Sequence, residues 1–304
     1  MKAVQMGLLT AICLCVAPVA HAHEPLWGES PQTFAFGVIH PEIRFGFEND
    51  TLLLNGDRRI GNPDGLSRSR FETLLGLQYA PKTSLNLKLE IPIVQVLTSQ
   101  RIAGMERHSG ATGLGDIMLS AKSRFYQKYG EDWKVHQSYT VGVQLPTGAH
   151  GGRTPNGLLF APSDQPGSGK FGILLGYAFA YERLNDTVWA SAVYMHDLGN
   201  RGSKGDMLDV DANYGYWIRR ARRPQDLGVI LAAGTHLEGM GHDRQGADAD
   251  PDSGSTLAGL QSSLIVTRGQ AQFRIGILVP LYQCVSGTQL RSEIQARAGI
   301  EILL

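Results

Sequence analysis

The chain has 304 residues, is 18% charged, and balances 28 Lys+Arg against 28 Asp+Glu. That balance excludes the strong positive field with which a nucleic-acid binder collects phosphates, so no nucleic-acid partner is expected. Of the three cysteines, Cys13 and Cys15 fall in the first fifteen residues, which leaves Cys284 alone in the body of the chain and excludes an intramolecular disulfide framework.

Residues 1–22 read as an export signal. Lys2 gives a positive start, an apolar run extends from Met6 to Val16, and Ala20-His21-Ala22 has the small-x-small form of a cleavage site. The run is about 11 residues, short of the roughly 20 that a membrane-spanning helix needs. Ile12 and Leu14, which precede the two early cysteines, do not suit lipoprotein processing. Cleavage after Ala22 makes His23 the mature terminus, residues 23–33 a periplasmic segment, and 34–304 the folded body.

Beyond the signal no apolar stretch reaches 18 residues, and the pattern is alternation. Leu85, Leu87, Leu89, Ile91 and Ile93 share one face, with Asn86, Lys88 and Glu90 on the other. Ile43, Phe45 and Phe47 oppose Glu42, Arg44 and Glu48, and near the end Ile294, Ala296, Ala298, Ile300 and Ile302 oppose Glu293, Gln295, Arg297 and Glu301. The spacing predicts about twelve strands, near 34–48, 68–80, 83–96, 113–127, 132–146, 169–181, 187–197, 206–219, 226–237, 256–267, 270–282 and 288–304. Short links, such as Ala80-Pro81-Lys82 and Arg268-Gly269, alternate with longer Gly/Pro/Asp-rich ones near 49–67, 97–112, 147–168, 198–205 and 238–255.

Short turns alternating with long loops on an even number of strands are the mark of an all-β, antiparallel up-and-down transmembrane barrel of the Gram-negative outer membrane, with both termini periplasmic. A soluble sandwich also puts one apolar face on each strand, but its strands are usually five or six residues long. Tyr79, Tyr126, Tyr129, Trp133, Tyr181, Tyr216 and Trp217, near strand ends, suit an interfacial girdle. The polar face then encloses a wet lumen lined by Glu42, Arg44, Glu72, Lys88, Glu90, Asp116, Lys122, Arg124, Asp209, Asp211, Arg274, Arg291, Glu293, Arg297 and Glu301. Mixed signs predict weak ion selectivity.

Gly113-Leu114-Gly115-Asp116 opening one strand, Leu145-Pro146-Thr147-Gly148 closing the next, and Gln165-Pro166-Gly167-Ser168-Gly169 before a third resemble the outer-membrane transporters grouped under the meta-pathway of phenol degradation. The resemblance implies an outer-membrane barrel passing small, hydrophobic or aromatic solutes, and brings no catalytic residues. Many outer-membrane proteins end on an aromatic residue, whereas this chain ends Ile302-Leu303-Leu304.

Other chemistry is weaker in the sequence. His21, His23 and Glu24 cluster near the mature terminus, but no H-x-x-E-H or C-x-x-C spacing occurs, so no metal or cofactor is expected. The stretch from His242 to Asp252 is Asp-rich without the later Glu of an EF-hand, and reads as a solvated loop. His136 and Ser138 share a strand face, yet no orienting acid and no G-x-S-x-G accompany them. Catalysis is therefore not expected, and the expected partners are outer-membrane lipid and a small solute. A non-conducting structural or metal-related barrel and a membrane-embedded hydrolase stay open as alternatives.

Overall fold

The computed structural model describes residues 24–304 apart from 154–158, 161–164, 200–202, 222, 224 and 246–247. The signal segment, with His21 and His23, lies outside the described residues. The elements in chain order are β1 (Ile39–Gly56), β2 (Arg58–Arg59), β3 (Ser67–Lys82), β4 (Leu85–Ile102), β5 (Met105–Leu114), β6 (Ile117–Tyr129), β7 (Trp133–Leu145) and β8 (Phe171–Arg183). They continue with β9 (Asp186–Leu198), β10 (Met207–Arg219), β11 (Leu227–Met240), β12 (Arg244–Gln245), β13 (Asp248–Ala249), β14 (Ser255–Arg268) and β15 (Ala271–Ile302).

Eleven of these follow one another around a closed antiparallel sheet, from β1 through β3, β4, β6 to β11 and β14 to β15, which returns to pair with β1. An alternating ring cannot close on an odd number of members, so one element must reverse. It is β15. Its first arm pairs with β14 up to Ser255↔Val285, its second pairs with β1 from Gly56↔Val285 to Glu42↔Glu301. Arg274 and Glu301, 27 residues apart, meet at 2.8 Å, where an extended strand would hold them some 90 Å apart. Counting both arms, the barrel has twelve staves and no free edge, the closure a spanning sheet requires.

The burial pattern is inside out. Glu42, His40, Gln78, Asn86 and Arg274 are buried, while their strand neighbours Ile43, Leu77, Leu87 and Ile275 are exposed. A sheet whose apolar side is outermost buries nothing by itself, so that side needs a lipid solvent. Lys- and Glu-bearing faces, which water would otherwise hold, are closed inside and paired with one another.

Several strands run past their expected ends. β1 continues to Gly56 and β4 to Ile102, and most of the expected 97–112 loop is the continuous β4–β5 hairpin, turned by Ala103 and Gly104. A strand crosses hydrocarbon in about 9–11 residues, and only there must one face be apolar. Thr98, Ser99, Arg107 and His108 lie on the extension, so their sequence carries no period-two signal. The expected strand at 113–127 is interrupted at Gly115-Asp116: β5 and β6 both pair with β4, but of these two only β6 goes on to pair with β7. Trp217, expected in a girdle, packs against an internal cluster of Ala180, Trp189, Ile230, Ala232 and Ile265 after a register shift at the end of β10.

Candidate functional site

Residues 24–34 lie inside the barrel, at the end where the short turns gather. Each of their anchors is an inward residue of a different strand. Lys122 Nζ (β6) donates to Ser30 O at 2.8 Å, Thr140 Oγ1 (β7) to Glu29 Oε2 at 2.9 Å, and Arg274 Nη1 (β15) to Pro25 O at 2.9 Å. Glu29 N donates to Ser191 Oγ (β9) at 3.0 Å, and Phe34 N to Asn86 Oδ1 (β4) at 3.1 Å. Trp27 and Leu26 pack on Leu257 and Leu278, and the Arg297 guanidinium sits 5.5 Å above the Trp27 ring. Gly28 has φ +79°, and a Cβ there would lie 2.5 Å from Ser191 Oγ, so only glycine lets the segment approach the wall.

A charge network ties the segment to the strands. Arg274 Nη2 reaches Glu42 at 2.6 Å and Glu301 at 2.8 Å; Glu42 also meets Arg44 at 3.1 Å and Lys88 at 3.6 Å. Lys88 holds Glu90 at 2.8 Å, Arg44 pairs with Glu90, and Lys122 lies 3.7 Å from both Glu24 and Glu29. Charges removed from water in this way persist only when fully paired and hydrogen-bonded.

Above the segment is a chamber of about 920 Å³ whose floor includes Leu26, Gly28 and Glu29. Its wall has two chemistries: Val94, Val96, Met118, Leu174 and Met195 supply an apolar sector on β4 to β9, whereas Arg44, Glu48, Arg291 and Arg297 come from β1 and β15. At its mouth lies Lys204, in the loop after β9, where burial holds the amine below the ordinary lysine value, Arg70 adding to the effect. The chamber can therefore surround a solute that has both an apolar body and a polar or charged group.

The three short motifs converge on one carboxylate. Asp116 accepts from Gly148 N at 2.8 Å, Ser168 N at 2.5 Å, Ser168 Oγ at 2.9 Å, Gly169 N at 3.3 Å and Gln144 Nε2 at 3.3 Å. Gly148 and Gly167 face each other so closely that a Cβ on Gly148 would lie 2.6 Å from the Gly167 Cα. Asp116 thus clamps the loop between β7 and β8 onto the β5–β6 break, in addition to touching the chamber.

Of the fifteen residues expected along the lumen, Arg44, Glu72, Glu90, Asp116, Asp209, Asp211, Arg291 and Arg297 line the chamber. Glu42, Lys88, Lys122, Arg274 and Glu301 point inward in the network about the segment. Arg124 donates to Thr83 O at 2.9 Å, beside the β3–β4 turn. Glu293 is exposed and pairs with Arg59 at 3.9 Å, because the irregular pairing of Asp50 with Ser292 and of Leu52 with Arg291 takes it out of phase. His136 and Ser138 are buried, but neither ring nitrogen nor the hydroxyl has a hydrogen-bond partner among the described residues. Sequence reading missed Trp27, Glu29 and Gln32, and weighed Glu24 only beside His21 and His23, because the segment looks like any leader until the strands close around it. It also missed His236 and Glu238, whose signal is their register opposite Asp211 and Asp209.

Residues 64–277 match the family model described as "Putative MetA-pathway of phenol degradation". The chain belongs to this family. The solved COG4313 outer membrane channel from Pseudomonas putida F1 is similar at TM-score 0.67 and 12% identity, covering 90% of this chain and 97% of that one. The β domain of the Bordetella autotransporter BrkA matches at TM-score 0.47 and 9% identity, over 88% of this chain and 100% of that one. The first likeness shows the fold, an outer-membrane type of β-barrel. No curated protein matches the chain in sequence. Within the family match lie all three motifs that meet at Asp116.

Proposed function

We propose that this family member is an outer-membrane channel for a small amphiphilic solute, with a hydrophobic or aromatic body, and that residues 24–34 regulate its passage. The observation that carries the reading is the two-sided chamber floored by the chain's own N-terminal segment. Export by the cleaved signal delivers the chain to the periplasm, and the exposed apolar belt fits outer-membrane lipid. The long loops then face outward and the segment closes the periplasmic side.

A barrel of twelve staves lies between filled eight-stranded barrels and open porins, so a segment of about ten residues is enough to obstruct it. Removal of residues 24–33 from the mature chain is expected to raise single-channel conductance in planar bilayers several-fold and to speed uptake of small aromatic acids into vesicles. The segment's anchors are spread over many strands, so the truncated barrel is first checked for heat-modifiable migration in a detergent gel. A folded truncated barrel that conducts no better than the full chain would favour the second reading, a structural barrel whose interior is closed by its charge network as well as by the segment.

A further inference from the structure

We infer that Asp209, His236 and Glu238, on the chamber wall, form a binding site for a divalent transition-metal ion of the zinc type. β10 and β11 pair in a register that sets Asp209 directly opposite Glu238 and Asp211 opposite His236. All four side chains border the chamber. A carboxylate and the two other ligand atoms, one from each of Asp209, His236 and Glu238, lie within 4.8 Å of one another.

Two carboxylates directly across an antiparallel pair repel, and a sheet normally avoids the arrangement. Here neither Asp209 nor Glu238 has a lysine or arginine nitrogen within 4.0 Å among the described residues, and Asp209 Oδ1 is buried without a hydrogen-bond partner. The second acidic cluster of the barrel, Glu24, Glu42 and Glu301, differs on this point. Arg274, Lys88 and Lys122 already neutralise it, so it needs no further cation.

Imidazole orientation completes the case. His236 is 4% exposed, and its Nδ1 lies 2.9 Å from Asp211 Oδ1. In the neutral tautomer whose Nδ1–H donates to Asp211, the Nε2 lone pair is free for a metal ion, with Glu238 Oε2 3.9 Å away. A carboxylate that fixes the far nitrogen of a histidine is the usual outer support of a metal-binding imidazole. The competing arrangement is an imidazolium between the acids. In it Nδ1 bonds Asp211 and Nε2 stands 3.9 Å from Glu238 Oε2, so Zn²⁺ must displace the Nε2 proton, and binding at this site is accompanied by proton release.

One imidazole with two carboxylates suits Zn²⁺, which binds such groups at about 2.0–2.2 Å and keeps a fourth position for water in open sites. Ligand atoms about such an ion lie roughly 3.4 Å apart, so the side chains close by about an ångström. The open position faces the chamber. Asp211 is then a positioning residue and not a ligand.

The test is calorimetric titration of ZnCl₂ into the metal-stripped full mature chain, folded in detergent, with no transport measurement involved. The site predicts one Zn²⁺ per barrel with a dissociation constant raised at least tenfold in both His236→Gln and Glu238→Gln, and unchanged in His196→Ala, whose imidazole pairs with Asp206 on the surface. Asp209→Asn supplies the same reading if His236→Gln fails to fold. Absence of Zn²⁺ binding by the full chain, or equal binding by the full chain and these variants, overturns the site. Failure of the channel reading would leave this result untouched, because the ligands are counted by heat and not by passage.

Discussion

Arg274 is the residue on which the interior turns. It is 2% exposed, joins Glu42 and Glu301 on neighbouring staves, and holds the carbonyl of Pro25. Arg274→Ala leaves two buried carboxylates without their main partner and is expected to lower unfolding free energy by about 3–5 kcal/mol. Urea titration of the barrel in lipid vesicles measures this, and a loss under about 1 kcal/mol would mean that the interior is wetter than the distances imply. The charge of Arg274 and its inward direction are legible in the alternation with Phe273 and Ile275. Its partners are not, since Glu42 is 232 residues away in sequence. Asp116 teaches the same lesson: alternation sends it to the lumen, while its clamp on Gly148 and Ser168 depends on a loop returning from the next stave.

At the scale of elements, the β4–β5 hairpin shows where periodicity stops informing. Ile102 pairs with Met105 across a two-residue turn in which Ala103 has φ +52° and Gly104 has φ +79°. Positive φ at both positions is the geometry that Asn-Gly satisfies and alanine resists. Ala103→Asn is expected to stabilise the hairpin by a few tenths to about 1 kcal/mol, seen as slower amide exchange at Ile102 and Met105, the pair that closes the turn. Unchanged or faster exchange there would argue that the extension is not a regular hairpin. Its strand character was hidden because polar residues on both faces are what a ribbon beyond the lipid should carry.

For the whole molecule, the decisive property is which side of the sheet meets lipid. Leu75, on β3 and exposed between Leu74 and Gly76, lies on the outer face. Leu75→Arg is expected to cost about 2–4 kcal/mol in vesicle-embedded barrel if the site lies near the bilayer midplane. The same urea titration checks it. A neutral result would place Leu75 in water and reverse the sidedness of the sheet. By contrast, an added charge at an inward chamber position should alter passage before it alters stability.

The sequence by itself determined the strands where they cross lipid, their two faces and the alternation of short and long connections there, because each depends on residues a few positions apart and on the solvent each face must meet. Its motifs also sufficed to suggest the family. Only the tertiary structure decided where residues 24–34 go, which charges pair, and that Asp209 and Glu238 stand opposite each other. Those outcomes join groups tens to hundreds of residues apart, and closing the ring brings them together at separations that no local pattern encodes.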